Sequence, residues 1–322
     1  MFKNKKILFS AFLLTTLLTV TACGQSVKAF TPGETPGETP QEESFNLTIP
    51  HELGETKLTR RPEKVVVFDY GLLDLLDNLQ VDVAGLPKAT LPEFLKTYDG
   101  EAYADLGTLK EPDFEAVYNL APDLILISTR TAAAYEELSK IAPTVYIAVD
   151  NADYMGSVEK NLTLLGEIFG KEAEAKTLAS TLQEKISTMK EKVSALQENA
   201  LIILANEGTL SAYGAVSRFG LIHHALGYQE ADQGIEASTH GQSVTFEYIL
   251  EKNPENLFVI DRSKVVGGQV DAVSTVENDI LKQTDAFKNG KIFYLNPEVW
   301  YITAGGFTST QLMLEDMEAA LK

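Results

Sequence analysis

Five arginines stand among the 27 basic side chains of this 322-residue chain, at positions 60, 61, 130, 218 and 262. Arginine carries a rigid planar fork that grips oxyanions through two bonds and stacks on aromatic rings, which lysine does poorly. Arg60 and Arg61 are adjacent; Arg130, Arg218 and Arg262 are isolated in a chain that otherwise uses Lys. Two chemistries suit them: anion binding, or ion pairs with some of the 46 acidic residues. The four histidines are 51, 223, 224 and 240. His223 and His224 are neighbours on one expected helix and point apart, a poor metal pair. His240 lies in the polar loop Ser238-Thr239-His240-Gly241-Gln242. Taken alone it reads as a surface histidine, and Tyr301, after Trp300, as packing.

Two of the isolated arginines are related by a repeat. Phe114-Glu115, Pro122 and Arg130 recur as Phe246-Glu247, Pro254 and Arg262, each displaced by 132 positions. In each copy Phe-Glu opens a short helix, which Pro ends because its ring clashes with the preceding turn. An apolar strand follows (Leu124 to Ile127; Leu257 to Ile260), with the arginine at its carboxyl end. A repeated helix–strand unit predicts two lobes of similar build. Ligands of open α/β sheets sit beyond the carboxyl ends of the strands. The repeat therefore aims one guanidinium from each lobe at a shared cleft.

The elements that must hold them alternate. Val65–Phe68, Val81–Leu86, Leu124–Ile127 and Thr144–Val149 read as strands, with leucines at helical spacing over 71–79 and a helix around 132–141. That rhythm predicts parallel sheets covered on both faces. From Glu172 to Glu198 there is no Gly or Pro, and Leu178, Leu182, Ile186, Met189, Val193 and Leu196 form one helical stripe. At 1.5 Å per residue this helix would run ~40 Å, enough to bridge the lobes. The second lobe holds strands at Ala200–Ala205 and Lys291–Leu295, and a last helix capped near Thr308 or Ser309. The expected fold is α/β: two Rossmann-like lobes with parallel-rich sheets, joined by a single long backbone helix. The division is 45–155 for the N-terminal lobe, 156–198 for the bridging helical segment and 199–322 for the C-terminal lobe.

A formal net charge of −19 argues against nucleic acid or an anionic membrane surface as a partner. The chain contains no G-x-S-x-G elbow, H-E-x-x-H or phosphate-binding loop, so it is expected not to be an enzyme. Residues 1–22 have a secretory signal's basic start, apolar run and small exit residues. Val20-Thr21-Ala22-Cys23 resembles a lipobox, which would make Cys23 a lipidated N-terminus; a plain signal with a chance cysteine is the alternative. Cys23 is the single cysteine, so an internal disulfide is excluded. Residues 23–44, rich in Pro, Gly, Glu and Thr, then read as a flexible tether.

Lipobox, tether, two α/β lobes and bridging helix together resemble the substrate-binding lipoproteins of iron–siderophore ABC importers, over about residues 45–322. The closest branch binds ferric catecholates, petrobactin-type ligands among them. The resemblance implies an arginine triad, falling on Arg130, Arg218 and Arg262, that faces an anionic Fe(III)-catecholate complex. It further implies His240 and Tyr301 as direct iron ligands. A bis-catechol supplies four oxygens, and one imidazole with one phenolate would complete six; a three-catechol ligand would need the arginines alone. Trp300 is assigned to the ligand cleft, with a core role as the alternative. The family docks its ABC permease through one acid per lobe, here Glu115 and Glu247, which equally suit helix N-termini. No intrinsic cofactor is expected. The protein should be a monomer held outside the cytoplasm of a bacterium by its lipid anchor alone. Haem or cobalamin carriage on the same fold, a siderophore esterase and an adhesin are the other readings.

Overall fold

The computed structural model describes residues 45–322. The expected signal, lipidated Cys23 and tether lie outside the described residues. No helix among the described residues is long and apolar enough to cross a membrane.

An antiparallel hairpin, β1 (Leu47–His51) and β2 (Gly54–Leu58), precedes the first sheet. That sheet comprises β3 (Val65–Val67), β4 (Gly85–Leu86), β5 (Ala104–Asp105), β6 (Leu124–Ile127) and β7 (Thr144–Tyr146). Its order is β5-β4-β3-β6-β7 and every pairing is parallel. The Val-Val-Val and Leu-Ile-Leu-Ile runs are buried throughout, as a sheet covered on both faces requires. Around it lie α1 (Tyr70–Asn78), α2 (Phe114–Leu120) and α3 (Tyr135–Ser139).

Two helices follow, α4 (Tyr154–Phe169) and α5 (Glu172–Leu196), turning at left-handed Gly170 and packed on each other. The middle of the expected stripe on α5 is buried at Leu182, Ile186, Met189 and Val193, whereas Leu196 at its end is exposed.

The second sheet comprises β8 (Asn199–Asn206), β9 (Thr209–Tyr213), β10 (Gln229–Glu230), β11 (Gln242–Val244), β12 (Asn256–Asp261) and β13 (Ile292–Leu295). Its spine is β11-β9-β8-β12-β13, with β10 against β8. The β8, β10, β12 and β13 pairings are parallel; β9 and β11 run antiparallel. Beside it lie α6 (Phe246–Lys252), α7 (Arg262–Val266), α8 (Ala272–Val276) and α9 (Asp285–Lys288), and the chain ends in α10 (Phe307–Ala320). The helix expected to carry His223 and His224 is reduced to a π-helical turn, Leu221–Ala225, and Arg218 stands before it.

The repeat extends to the caps. Asp113 and Thr245, again 132 residues apart, accept from the third residue beyond them and open the seven-residue helices α2 and α6. Ala121 (φ 50°) and Asn253 (φ 41°) end those helices in left-handed conformations, and Pro122 and Pro254 follow.

The expected cap of α10 is corrected. Its N-cap is Gly306, and Thr308 and Ser309 lie in the first turn. Their amides donate to the buried carboxylate of Asp74 on α1, at 3.0 and 2.7 Å. A carboxylate brought in by another helix replaces the local hydroxyl. A Cβ on Gly306 would lie 2.1 Å from Asp74 Oδ2, so only glycine admits that approach.

Candidate functional site

The carboxyl ends of both sheets face a cavity of about 340 Å³. Arg130 reaches it from a 3-10 turn, Thr129–Ala134, just after β6. Arg218 enters from the loop before the π-helical turn, and Tyr301 from a second such turn, Glu298–Ile302. His240, exposed in the loop before β11, lines the same cavity. Arg262, the first residue of α7, stands at the carboxyl end of β12 behind Tyr301.

Tyr301 is the centre of the arrangement. Its ring lies 5.9, 4.3 and 5.6 Å from the guanidinium carbons of Arg130, Arg218 and Arg262. All three contacts are within cation–π range. Its backbone carbonyl accepts from Arg130 Nη2 at 2.6 Å and from Arg218 Nη2 at 2.8 Å. Arg130 Nη1 also donates to the Ile302 carbonyl at 3.2 Å. The phenol oxygen accepts from Arg262 Nε at 2.8 Å, and Arg262 Nη1 donates to Asn206 Oδ1 at 2.5 Å. Each of these acceptors is a neutral oxygen. Among the described residues the arginine in an ion pair is Arg60, with Asp123 at 3.4 Å; none of the other four has one. Arg218 Nε is buried with no hydrogen-bond partner.

Such crowding moves proton affinities. Burial raises the Tyr301 phenol, but the Arg262 hydrogen bond and the charges of Arg218, Arg262 and Arg130 outweigh it, and the net shift is downward. Burial pulls Arg218 below the usual arginine value, and the Arg130 charge adds to that pull. Asp69 ends the first strand region, caps α1 through Leu72 and lines the cavity. Burial raises its carboxyl, with Arg130 opposing. A ligand with anionic oxygens would meet fixed cations at the wall of this cavity.

The wall is closed by close backbone approach. Gly71 at the start of α1 sits where a Cβ would be 2.5 Å from the Ala304 carbonyl, and both residues line the cavity.

Trp300 requires a correction. It is wholly buried, its Nε1 donates to Asp316 Oδ2 at 2.9 Å, and it does not line the cavity. Consecutive residues of the turn point in different directions, and here Tyr301 faces the cleft and Trp300 the core. Glu115 and Glu247 lie away from the cavity, each exposed in the first turn of its repeat helix. Sequence reasoning missed Asp69, Lys110 and Asn206. Asp69 follows the Val65–Phe68 run and was reachable from the carboxyl-end rule. Lys110 lines the cavity from a loop that carries no pattern.

Residues 65–299 match the family model described as "Periplasmic binding protein". The chain belongs to the periplasmic binding protein family. It is 43% identical over 322 residues to the petrobactin-binding protein YclQ of Bacillus subtilis, covering 99% of each chain. It is 35% identical to the ferric-anguibactin-binding protein FatB of Vibrio anguillarum, covering 98% of each. The crystal structure of YclQ superposes with a TM-score of 0.84 at 46% identity, over 86% of this chain and 99% of that one. The catecholate-siderophore binding protein VctP of Vibrio cholerae superposes at 0.80 with 36% identity, over 85% and 100%. The two-lobe α/β architecture is that of this family, and its members are binding proteins, as is this chain.

Proposed function

We propose that this protein captures a ferric catecholate siderophore in the cleft between its lobes and delivers it to an ABC permease. One observation carries this reading. Three guanidiniums from separate segments converge on Tyr301 and are held by neutral oxygens, so their charge is left for a ligand. Names of relatives at 43% and 36% identity, a petrobactin binder and a catecholate-siderophore binder, agree with it.

Fe(III) is hard and takes anionic oxygen. A bis-catecholate brings four such oxygens and a negative charge, and the arginines bind its phenolate edges by charge-assisted hydrogen bonds. The Tyr301 phenolate and the His240 imidazole then complete six-coordination. The depressed Tyr301 pKa favours that step, because the phenolate is the ligating form.

The remaining parts follow the same logic. Residues 1–22 direct export, Cys23 carries the lipid anchor and 23–44 tether the binding unit outside the cell membrane. Within that unit 45–155, 156–198 and 199–322 serve as lobe, bridge and lobe, acting as a monomer. Glu115 and Glu247, equivalent positions of the repeat, engage basic side chains of the permease.

The test is a titration of the soluble domain with a ferric bis-catecholate, following quenching of Trp300, the single tryptophan. Wild type should bind tightly. His240→Ala/Tyr301→Phe should weaken binding by about tenfold or more and shift the charge-transfer band. A double mutant with unchanged affinity and spectrum would remove direct ligation, and no binding by wild type would refute the siderophore role.

A further inference from the structure

We propose that Asn206 is a positioning residue that aims Arg262 with a neutral oxygen, leaving the full guanidinium charge for the ligand. This rests on the siderophore reading above. The placement follows from sheet register. Parallel β8 and β12 pair Leu204 with Ile260 and Ala205 with Asp261, and Asn206 and Arg262 come next in each chain segment. They therefore emerge side by side at the carboxyl edge, where Asn206 Oδ1 accepts from Arg262 Nη1 at 2.5 Å. The other end of the guanidinium, Nε, is then directed at the Tyr301 phenol oxygen at 2.8 Å.

An amide at this point is not a matter of missing acids. Glu207 and Asp261 flank the pair in sequence, yet both carboxylates are turned to backbone amides. Glu207 Oε1 accepts from Gln269 N at 2.6 Å and Val270 N at 3.2 Å. Asp261 accepts from Lys264 N at 3.2 Å through Oδ1 and from Ala272 N at 2.9 Å through Oδ2. The two nearest acids are thus occupied in holding the 263–272 segment, while Arg262 receives the one neutral side chain between them. A carboxylate at position 206 would hold the fork at least as firmly, but it would cancel the charge that the cleft offers. Orientation without neutralisation is what the amide supplies and an acid cannot.

The experiment compares wild type, Asn206→Asp and Asn206→Ala, each with its Tyr301→Phe counterpart, after circular dichroism has verified folding. The ligand-free readout is the ionisation of Tyr301, taken as the ultraviolet difference between each protein and its Tyr301→Phe version. The second readout is affinity for a ferric bis-catecholate. Asn206→Asp should raise the Tyr301 pKa by about one unit and weaken the probe about tenfold, since one nearby charge moves such equilibria by that order. Asn206→Ala should weaken the probe less, with Tyr301 shifted less. A purely structural role would leave Asn206→Asp as good as wild type in both readouts, and that result overturns the proposal. So does a Tyr301 shift in a protein whose probe affinity is unchanged. If wild type binds no ferric probe, the siderophore reading falls by itself. The position of the Arg262 fork in a crystal structure of Asn206→Ala then decides the role of Asn206, a displaced guanidinium supporting it and an unmoved one refuting it.

Discussion

Arg130 and Tyr301 come from opposite lobes and are joined across the cleft, Nη2 of the arginine donating to the tyrosine carbonyl at 2.6 Å. With Nη1 on the Ile302 carbonyl, the same fork spans two successive peptides of the second lobe. Arg218 Nη2 also donates to the Tyr301 carbonyl, at 2.8 Å. Like charges are thereby gathered on one peptide dipole without being cancelled. This is the preorganisation an anion site needs, because no rearrangement of cations is left for the moment of binding.

The first consequence is a pH dependence at Tyr301. Its folded pKa lies below the ordinary 10.0. A group depressed in this way contributes stability that is present above the unfolded value and lost as pH falls through the folded one. Stability of wild type relative to Tyr301→Phe should therefore rise with pH between the folded pKa and 10.0. Denaturant midpoints of the two proteins, measured across that window, provide the check; a difference that falls with pH would contradict the sign.

Trp300→Phe should leave ferric-probe affinity within about twofold while lowering stability by about 1–3 kcal/mol. It removes a core ring and leaves Asp316 without its indole donor. Isothermal calorimetry and chemical denaturation read the two effects separately. A large loss of affinity with unchanged stability would restore the tryptophan to the cleft.

Asp74→Ala should destabilise the protein by about 2–4 kcal/mol, because the amides of Thr308 and Ser309 lose a buried charged acceptor. Asn78 Nδ2, which donates to the same carboxylate at 2.9 Å, loses it as well. Thermal unfolding would register the change. Asp74→Asn should recover part of the loss, as its amide oxygen still accepts.

How far the molecule was legible beforehand can be judged from these same residues. The repeat was plain because proline, glutamate and arginine are strong markers at fixed spacing, and it extends to caps and left-handed ends that carry weaker signals. Arg262 was placed at a strand end by that pattern. The facing of Trp300 was not legible, since a single turn of π-helix has no periodicity that separates inward from outward residues. Nor was the Asp74 cap of α10, because its partners are more than 200 residues apart in sequence. The spacing of Asn206 from Arg262 likewise depends on a strand register that only the folded sheet sets.

Glu115→Ala and Glu247→Ala should leave ferric-probe affinity unchanged and reduce uptake of the ferric complex into cells. Both carboxylates are exposed in first turns and lie away from the cavity. Growth on the ferric complex as sole iron source, beside calorimetry on the purified domains, separates delivery from capture. Full uptake by the double variant would sink the docking role.

The most direct measurement of the central claim is the affinity of Arg130→Gln, Arg218→Gln and Arg262→Gln for a ferric bis-catecholate, with folding checked by circular dichroism. Each substitution removes a charge-assisted donor whose contribution is about 1.5–3 kcal/mol, so each should weaken binding by roughly tenfold or more. The loss should shrink as salt is added, since screening already weakens the cleft's field. Three variants that bind the ferric probe as wild type does would contradict the claim that the converging guanidiniums recognise the ligand.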